Sequence, residues 1–389
     1  MIEKAFQGSK GYWIWIACLL AVIAVGGWCY AQQFTHGLGV TGMSRDVSWG
    51  LYISQFTFLV GVAAGGLMLV LPYYLHNYKA FGRITILGEF MAIAAVVMCL
   101  MFIIADLGQP MRAFNVILHP SPQSIMFWDM IVLNGYLALN LLCGWAILHS
   151  EYKGVKYANW VKPFIYLSIP WAVSIHTVTA FLYAGLPGRD YWLTAIMAPR
   201  FLASAFAAGP ALLLIIALVL ERNTLFRVGQ MAKDKLVTII TYAAIINFFF
   251  LACEFFVAYY SQYPSKMYTK DYLFFGLERD GLIFNNLVPY MQASVVIGVI
   301  GIALILMARS RKSDLLLGVS CAMIFLSLWI DKGLGMVLGG FVPNPFGQVT
   351  QYYPTIIELG ITAAVWATGG LILTILYKVA ISVKLEKGL

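Results

Sequence analysis

Ten separate apolar runs, each about as long as a bilayer is thick, constrain this chain more than any motif does. They cover residues 12–34, 50–75, 85–106, 124–148, 162–185, 198–220, 236–260, 287–308, 314–331 and 355–379. A helix needs about 20 apolar residues to cross a hydrocarbon core of about 30 Å. Backbone groups in lipid must pair within the chain, so each run is expected to be a helix. None shows the polar–apolar alternation of barrel strands. The composition is 61% hydrophobic and 11% charged with mean hydropathy +0.82, which excludes an ordinary soluble domain. The expected fold is an all-α polytopic membrane protein.

Lys4 and Lys10 precede the first run, as basic residues precede a signal peptide. Its apolar core is longer than the roughly 7–15 residues of such a segment, and no small-residue cleavage site follows clearly, so it reads as a retained helix. With the N-terminus inside, 17 of the 25 Lys and Arg residues fall in inner segments and 8 in outer ones. That bias places both termini in the cytoplasm. The net charge of +8 is then mainly a topological signal, and nothing else favours nucleic acid.

The cysteines are Cys18, Cys29, Cys99, Cys143, Cys253 and Cys321, all within apolar runs and none in a CxxC pair. Zinc, iron–sulfur and disulfide readings are weak, and CxxCH haem attachment is absent. Buried free thiols are the expectation, and no metal site is expected. The inner loops (76–84, 149–161, 221–235, 309–313) are short and basic. The outer loops (35–49, 107–123, 261–286, 332–354) are longer and rich in Pro, Gly and aromatics, as in PNPFGQVTQYYP at 343–354. Such loops suit a surface that packs against a partner outside the cytoplasm.

Candidate functional residues are ionisable groups at membrane depth, which are costly there and usually kept for function. The stretch Trp171–Gly209 holds most of the interest. His176 lies well inside one apolar run, Arg189 and Asp190 occupy the turn, and the next run opens on Pro199-Arg200 before Ala203, Ser204, Ala205, Ala207, Ala208 and Gly209. Small residues let helices approach closely. His176 is either a core histidine bonded to a neighbour or a proton-transfer group. The run WGLYISQFTFLVGVAAGG brings Trp49, Tyr52 and Gln55 to an outer boundary and contains the Gly61/Gly65 step. Glu89 sits near the inner end of the third run. Asp106 and Asp129 flank an outer loop containing Arg112, where the simpler reading is an Asp106–Arg112 ion pair. Glu254 has no partner nearby in sequence, Asp331–Lys332 reads as a local structural pair ending the ninth run, and Glu358 opens the tenth.

Together, WGLYISQFTFLVGVAAGG, DLGQPMRAFNVILHPSPQSIMFWD and SIHTVTAFLYAGLPGRDYWLTAIMAPRFLASAFAAGPA resemble the NrfD/PsrC-type membrane subunits of respiratory complexes. Within that family the chain is most similar to the DsrP/HmcC-type subunits of sulfate-reducer redox complexes. The resemblance implies two four-helix bundles, helices two to five and six to nine, with flanking helices. The chain then divides into 1–49 (first helix and outer loop), 50–185 (first bundle, with the quinone site), 186–331 (second bundle) and 332–389 (outer loop and last helix). It also implies a multi-pass subunit of the cytoplasmic (inner) membrane, with no haem or iron–sulfur cluster of its own. Menaquinone or menaquinol is the implied bound substrate. The implied partners are an extracytoplasmic, ferredoxin-like iron–sulfur subunit, a multihaem cytochrome c and further membrane subunits. Relatives have been proposed to conduct protons through the first bundle. Many relatives carry Arg where this chain has Gln109, which puts a direct charge role there in doubt.

On this reading, His176, Asp106, Asp129, Glu89 and Glu254 are the proton-handling candidates. Trp49, Tyr52, Gln55, Arg112, Tyr183 and Arg200 are the head-group candidates, with Arg200 alternatively an interfacial anchor. The quinone would carry the redox chemistry, and the protein would supply position and proton transfer. Two alternatives stay open: a membrane cytochrome b with haem between His76 and His149, and a transporter without redox partners.

Overall fold

The computed structural model describes residues 2–386 except 77, 280 and 312. Ten helices among these residues are long and apolar enough to span a membrane. They are α1 Lys10–Val40, α2 Leu51–Tyr74, α3 Thr85–Asp106, α4 Ile125–Lys153 and α5 Val161–Ala184, followed by α6 Met197–Asn223, α7 Gln230–Tyr260, α8 Val288–Ala308, α9 Asp314–Gly339 and α10 Ile356–Glu386. Lys4, ahead of α1, pairs with Glu386 at the end of α10, so these ends of the two helices share one face, the termini face. The opposite face carries a short helix, Pro264–Phe274, and an antiparallel hairpin pairing Leu277–Arg279 with Leu282–Phe284.

Helices α2, α3, α4 and α5 pack as one four-helix ring, and α6, α7, α8 and α9 as another. α2 and α5 lie against α6, which joins the rings. α1 pairs with α10, and this pair rests on α3. Residues 51–64 of α2 are buried on every side, as expected of a helix apolar all round at the centre of an assembly. α1 presents Trp13, Trp15, Trp28 and Val25 outward, the composition of a lipid-facing helix.

Lipid tails are as apolar as leucine, so close packing rather than hydrophobicity draws such helices together. The α2–α6 crossing depends on two glycines. A Cβ built on Gly65 would lie 2.4 Å from the Gly209 Cα, so neither position accepts a side chain without separating the helices.

Several helices run past their expected ends on the face that carries the termini. α4 reaches Lys153, α7 starts at Gln230 and α10 reaches Glu386. Hydropathy marks only the part within hydrocarbon, whereas the backbone hydrogen-bond ladder continues into the polar interface. Lys233, in the added turn of α7, is held by Glu221 at 2.6 Å and Asp314 at 3.2 Å. The largest difference is in α9, expected to end at Asp331. A π-helical segment, Trp329–Gly335, carries the helix on to Gly339 and places Asp331 and Lys332 inside it. Such segments are rare and frequently sit at functional sites.

All six cysteines are free, but only Cys29, Cys99, Cys143 and Cys321 are buried. Cys18 faces outward from α1, and Cys253 is half-buried, so burial holds for four of the six.

Candidate functional site

The polar core of the structure lies where the two rings meet. Arg200 enters from the first turn of α6 and is 5% exposed. One guanidinium nitrogen donates to Glu254 Oε2 at 2.6 Å, and the other donates to both Asp331 oxygens at 2.8 Å. Glu254 Oε2 also accepts from Lys270 Nζ at 2.9 Å. Two carboxylates and two cations therefore balance, which is how buried charge is tolerated. The Lys270 ammonium stacks over Tyr191 and Phe255, 4.9 Å from each ring. Burial alone would push Lys270 down, but the adjacent Glu254 carboxylate outweighs it and holds its pKa above the ordinary lysine value.

This network corrects two expectations and gives Glu254 its partners. Asp331 and Lys332 do not pair locally, because the π-helical turn sends them to different partners. Arg200 is not an interfacial anchor but the centre of a buried ion cluster. Glu254, without a partner in sequence, has two in space, from α6 and from the helix Pro264–Phe274.

Lys332 reaches from α9 to α5. Its Nζ lies 3.3 Å from His176 Nε2 and 3.5 Å from the Phe201 carbonyl, and 4.1 Å above the Phe201 ring. His176 is fully buried, and its Nδ1 has no partner among the described residues. On the same helix, Thr179 donates to Asp129 Oδ1 of α4 at 2.7 Å. Tyr183, a turn further, hydrogen-bonds Thr57 of α2. The spacing 176, 179, 183 puts these three side chains on one face of α5. Rings continue that face outward. Tyr183 meets Trp49 at 5.4 Å and Trp192 at 5.1 Å, and Trp192 meets Phe341 at 5.3 Å. Arg189 caps this stack, 4.6 Å over Phe341.

A second polar group lies at the outer ends of α1, α2 and α3. Tyr52 donates to Gln33 Oε1 at 2.6 Å, and Gln33 Nε2 donates to the Ala105 carbonyl at 2.6 Å. Next to it, Asp106 Oδ1 is buried without a partner among the described residues. The expected Asp106–Arg112 ion pair does not form: Arg112 is exposed on a short turn after Pro110. Gln55 accepts from Trp329 at 2.9 Å and Trp366 at 3.0 Å, and its Nε2 has no partner among the described residues. Glu358 is a capping group, accepting from Tyr352 Oη at 2.5 Å and from the backbone of Gly42 at 2.7 Å and Thr355 at 2.8 Å.

Glu89 is separate from both groups, inside the first ring toward the termini. Its Oε2 has no partner among the described residues, and it lines a small void with Tyr136, Asn140, Cys143 and Ser168. The void offers about 10 Å³ to water centres, room for about one water. Near the same face, Lys384 Nζ holds Glu151 at 2.8 Å.

Sequence reading passed over Lys332, Asp331 and Lys270 as site residues, and Thr179 and Asn247 altogether. A run that mixes Asp-Lys with glycines at the end of an apolar stretch (WIDKGLG) was the available signal for the first two. His76 is exposed, and His149 stacks on Trp145 at 6.4 Å, so neither ring lies in a bundle core. Among the described residues no group of three or more His, Cys, Asp or Glu could hold a metal ion.

A family model described as "Polysulphide reductase, NrfD" matches residues 39–331. A protein assigned as a membrane component of dimethyl sulfoxide reductase in Halobacterium salinarum is 27% identical, over 92% of this chain and 88% of its own. The Hdr-like menaquinol oxidoreductase integral membrane subunit of Archaeoglobus fulgidus is 27% identical over 54% of this chain and 52% of its own. The menaquinone reductase integral membrane subunit of Nitratidesulfovibrio vulgaris is 19% identical over 94% of this chain and 91% of its own.

Proposed function

The chain belongs to the NrfD polysulphide reductase family, and from that premise we propose that it is the quinone-reactive membrane subunit of a redox complex. The observation that carries this reading is the single buried face of α5. It presents His176, the Thr179–Asp129 pair and Tyr183 in succession, and it ends at the Trp49–Trp192 aromatic wall beneath the loop face. A quinol head group needs a flat apolar slot, hydrogen-bond partners for its two oxygens and a route for protons. The rings supply apolar walls and the α5 groups the polar partners.

Oxidising a quinol to a quinone releases two electrons and two protons. Asp129 and His176 accept protons in this reading, with Asp106, whose Oδ1 lacks a partner among the described residues, as a second acceptor at the loop face. Trp49 and Tyr183 frame the head group, while Tyr52 and Gln55 belong to the second polar group with Gln33, Trp329 and Trp366. Arg200 and Glu254, committed to each other and to Asp331 and Lys270, contribute fixed electrostatics instead. Glu89 serves protons exchanged with the termini face. The positive-inside bias makes that face cytoplasmic and the loop face extracytoplasmic. The electron partner is an iron–sulfur subunit seated on the loop face, where Met111, Phe114, Leu118 and Phe346 are exposed. A multihaem cytochrome c and further membrane subunits complete the complex, and menaquinol is the bound substrate, as the names of two relatives suggest.

The test is photolabelling of the purified complex with an azido-quinone, alongside quinol-driven turnover. Label on Trp49 or on α5 between His176 and Tyr183 is the expected result. Label confined to the lipid-facing surface, with no quinol-driven turnover, would overturn the reading, and a haem absorption spectrum from this subunit alone would favour the cytochrome alternative.

A further inference from the structure

Lys332 is 5% exposed, and no carboxylate among the described residues meets it. Its sequence neighbour Asp331 gives both oxygens to Arg200, so among the described residues the lysine amine meets the His176 imidazole, the Phe201 carbonyl and the Phe201 ring. An ammonium is a donor only, so a charged Lys332 requires a bare Nε2 on His176 and a proton on Nδ1. The backbone makes room for this contact. A Cβ built on Gly61 would lie 3.2 Å from Lys332 Nζ and 3.6 Å from His176 Nε2. On the second-ring side, Lys332 lines a small void with Ser204 and Asn247, whose Oδ1 is buried without a partner among the described residues. The void offers about 10 Å³ to water centres, room for about one water beside the amine on that side.

We propose that Lys332 is the proton-exchanging partner of His176, so that the two rings share one protonic site at their junction. In the exchange, Nζ–H passes its proton to Nε2, leaving a neutral amine and a doubly protonated imidazole, and the reverse step restores both. His176 belongs to the first ring and Lys332 to the second, so a proton given up at one side of the pair is replaced from the other. Lysine suits the role because its proton can leave, whereas a guanidinium keeps its own. This inference rests on the quinol reading only for its place in turnover. The pair itself is independent of it.

The experiment uses the full chain in its native complex, with K332Q and K332R. Glutamine keeps a neutral donor for His176 and no transferable proton, and arginine keeps the charge. Both variants are expected to assemble and to lower quinol-driven electron transfer at least about tenfold with little change in KM. A larger solvent deuterium isotope effect should accompany the loss. Wild-type turnover in either variant would overturn the proposal. Nitrogen NMR of the unmodified complex, labelled with 15N at histidine and lysine, reads the pair without quinol. A His Nε2–Lys Nζ hydrogen-bond coupling is expected, and its absence would overturn the proposal even if neither variant assembles. A coupling present in a complex that turns over no quinol would support the pair and count against the quinol reading alone.

Discussion

Asp331 and Lys332 are adjacent in sequence and serve opposite sides of the ring junction. Asp331 takes the Arg200 guanidinium at 2.8 Å, and Lys332 meets the His176 imidazole at 3.3 Å. The π-helical turn separates them, and it separates a structural role from a chemical one. Asp331→Asn should therefore destabilise the subunit, by about 3–5 kcal/mol, because it leaves Arg200 undercompensated in the core. Thermal unfolding in detergent measures this, and an unchanged midpoint would show that the cluster carries no stability.

Gly65 and Gly209 set the distance between α2 and α6. Gly65→Ala should cost about 1–3 kcal/mol, since the new methyl meets backbone that cannot move aside. Gly61→Ala should cost less, because it meets the flexible end of Lys332. Equal melting shifts for the two variants would contradict this account.

His176→Ala should lower quinol-linked electron transfer about 100-fold while the subunit still assembles, as expected for loss of a proton-transfer group. Asp129→Asn should act in the same direction, and Thr179→Val more weakly. Steady-state turnover of purified complexes decides, and full activity in His176→Ala would remove its role.

Glu89→Gln should lower turnover about tenfold and reduce proton uptake from the termini face together with it. A pH-sensitive dye trapped in proteoliposomes reports that uptake. Normal turnover with normal uptake would argue against a route through Glu89.

Lys270 lies outside the spanning helices, and its pKa is raised above the ordinary value of 10.5 by Glu254. A raised folded-state pKa stabilises fully below the unfolded value and is lost as pH rises through the folded one. Attachment of Pro264–Phe274 should hold up to about pH 10 and weaken above it, and Lys270→Met should remove that alkaline step. Hydrogen exchange in Pro264–Phe274 across alkaline pH follows it directly.

The ten spans were legible because hydropathy and length report bilayer crossing almost independently of packing. His176 and Arg200 stood out as ionisable groups in or beside apolar runs, and Trp49, Tyr52 and Gln55 as aromatic or polar groups at an outer boundary. Their partners did not, because partnership here joins residues far apart in sequence. Arg200 finds Asp331 and Glu254, and Gln55 finds Trp329 and Trp366. The pair Asp331–Lys332 misled for the same reason: neighbours of opposite charge suggest each other until a backbone turn rotates them apart. Thr179 carried no signal, being an ordinary residue in an apolar run, and only its contact with Asp129 gives it meaning.

The pairing of α1 with α10 has a temporal consequence. Among the ten spans, the earliest in the chain rests on the latest, and Lys4 and Glu386 close the contact between them. While a ribosome is still producing α2 through α9, α1 waits in the bilayer without its eventual neighbour. The first ring has all its members by Ala184 and the second by Gly339, so the clasp of α1 by α10 comes after both rings are complete. A chain halted before Ile356 would hold both rings while α1 still lacked its neighbour.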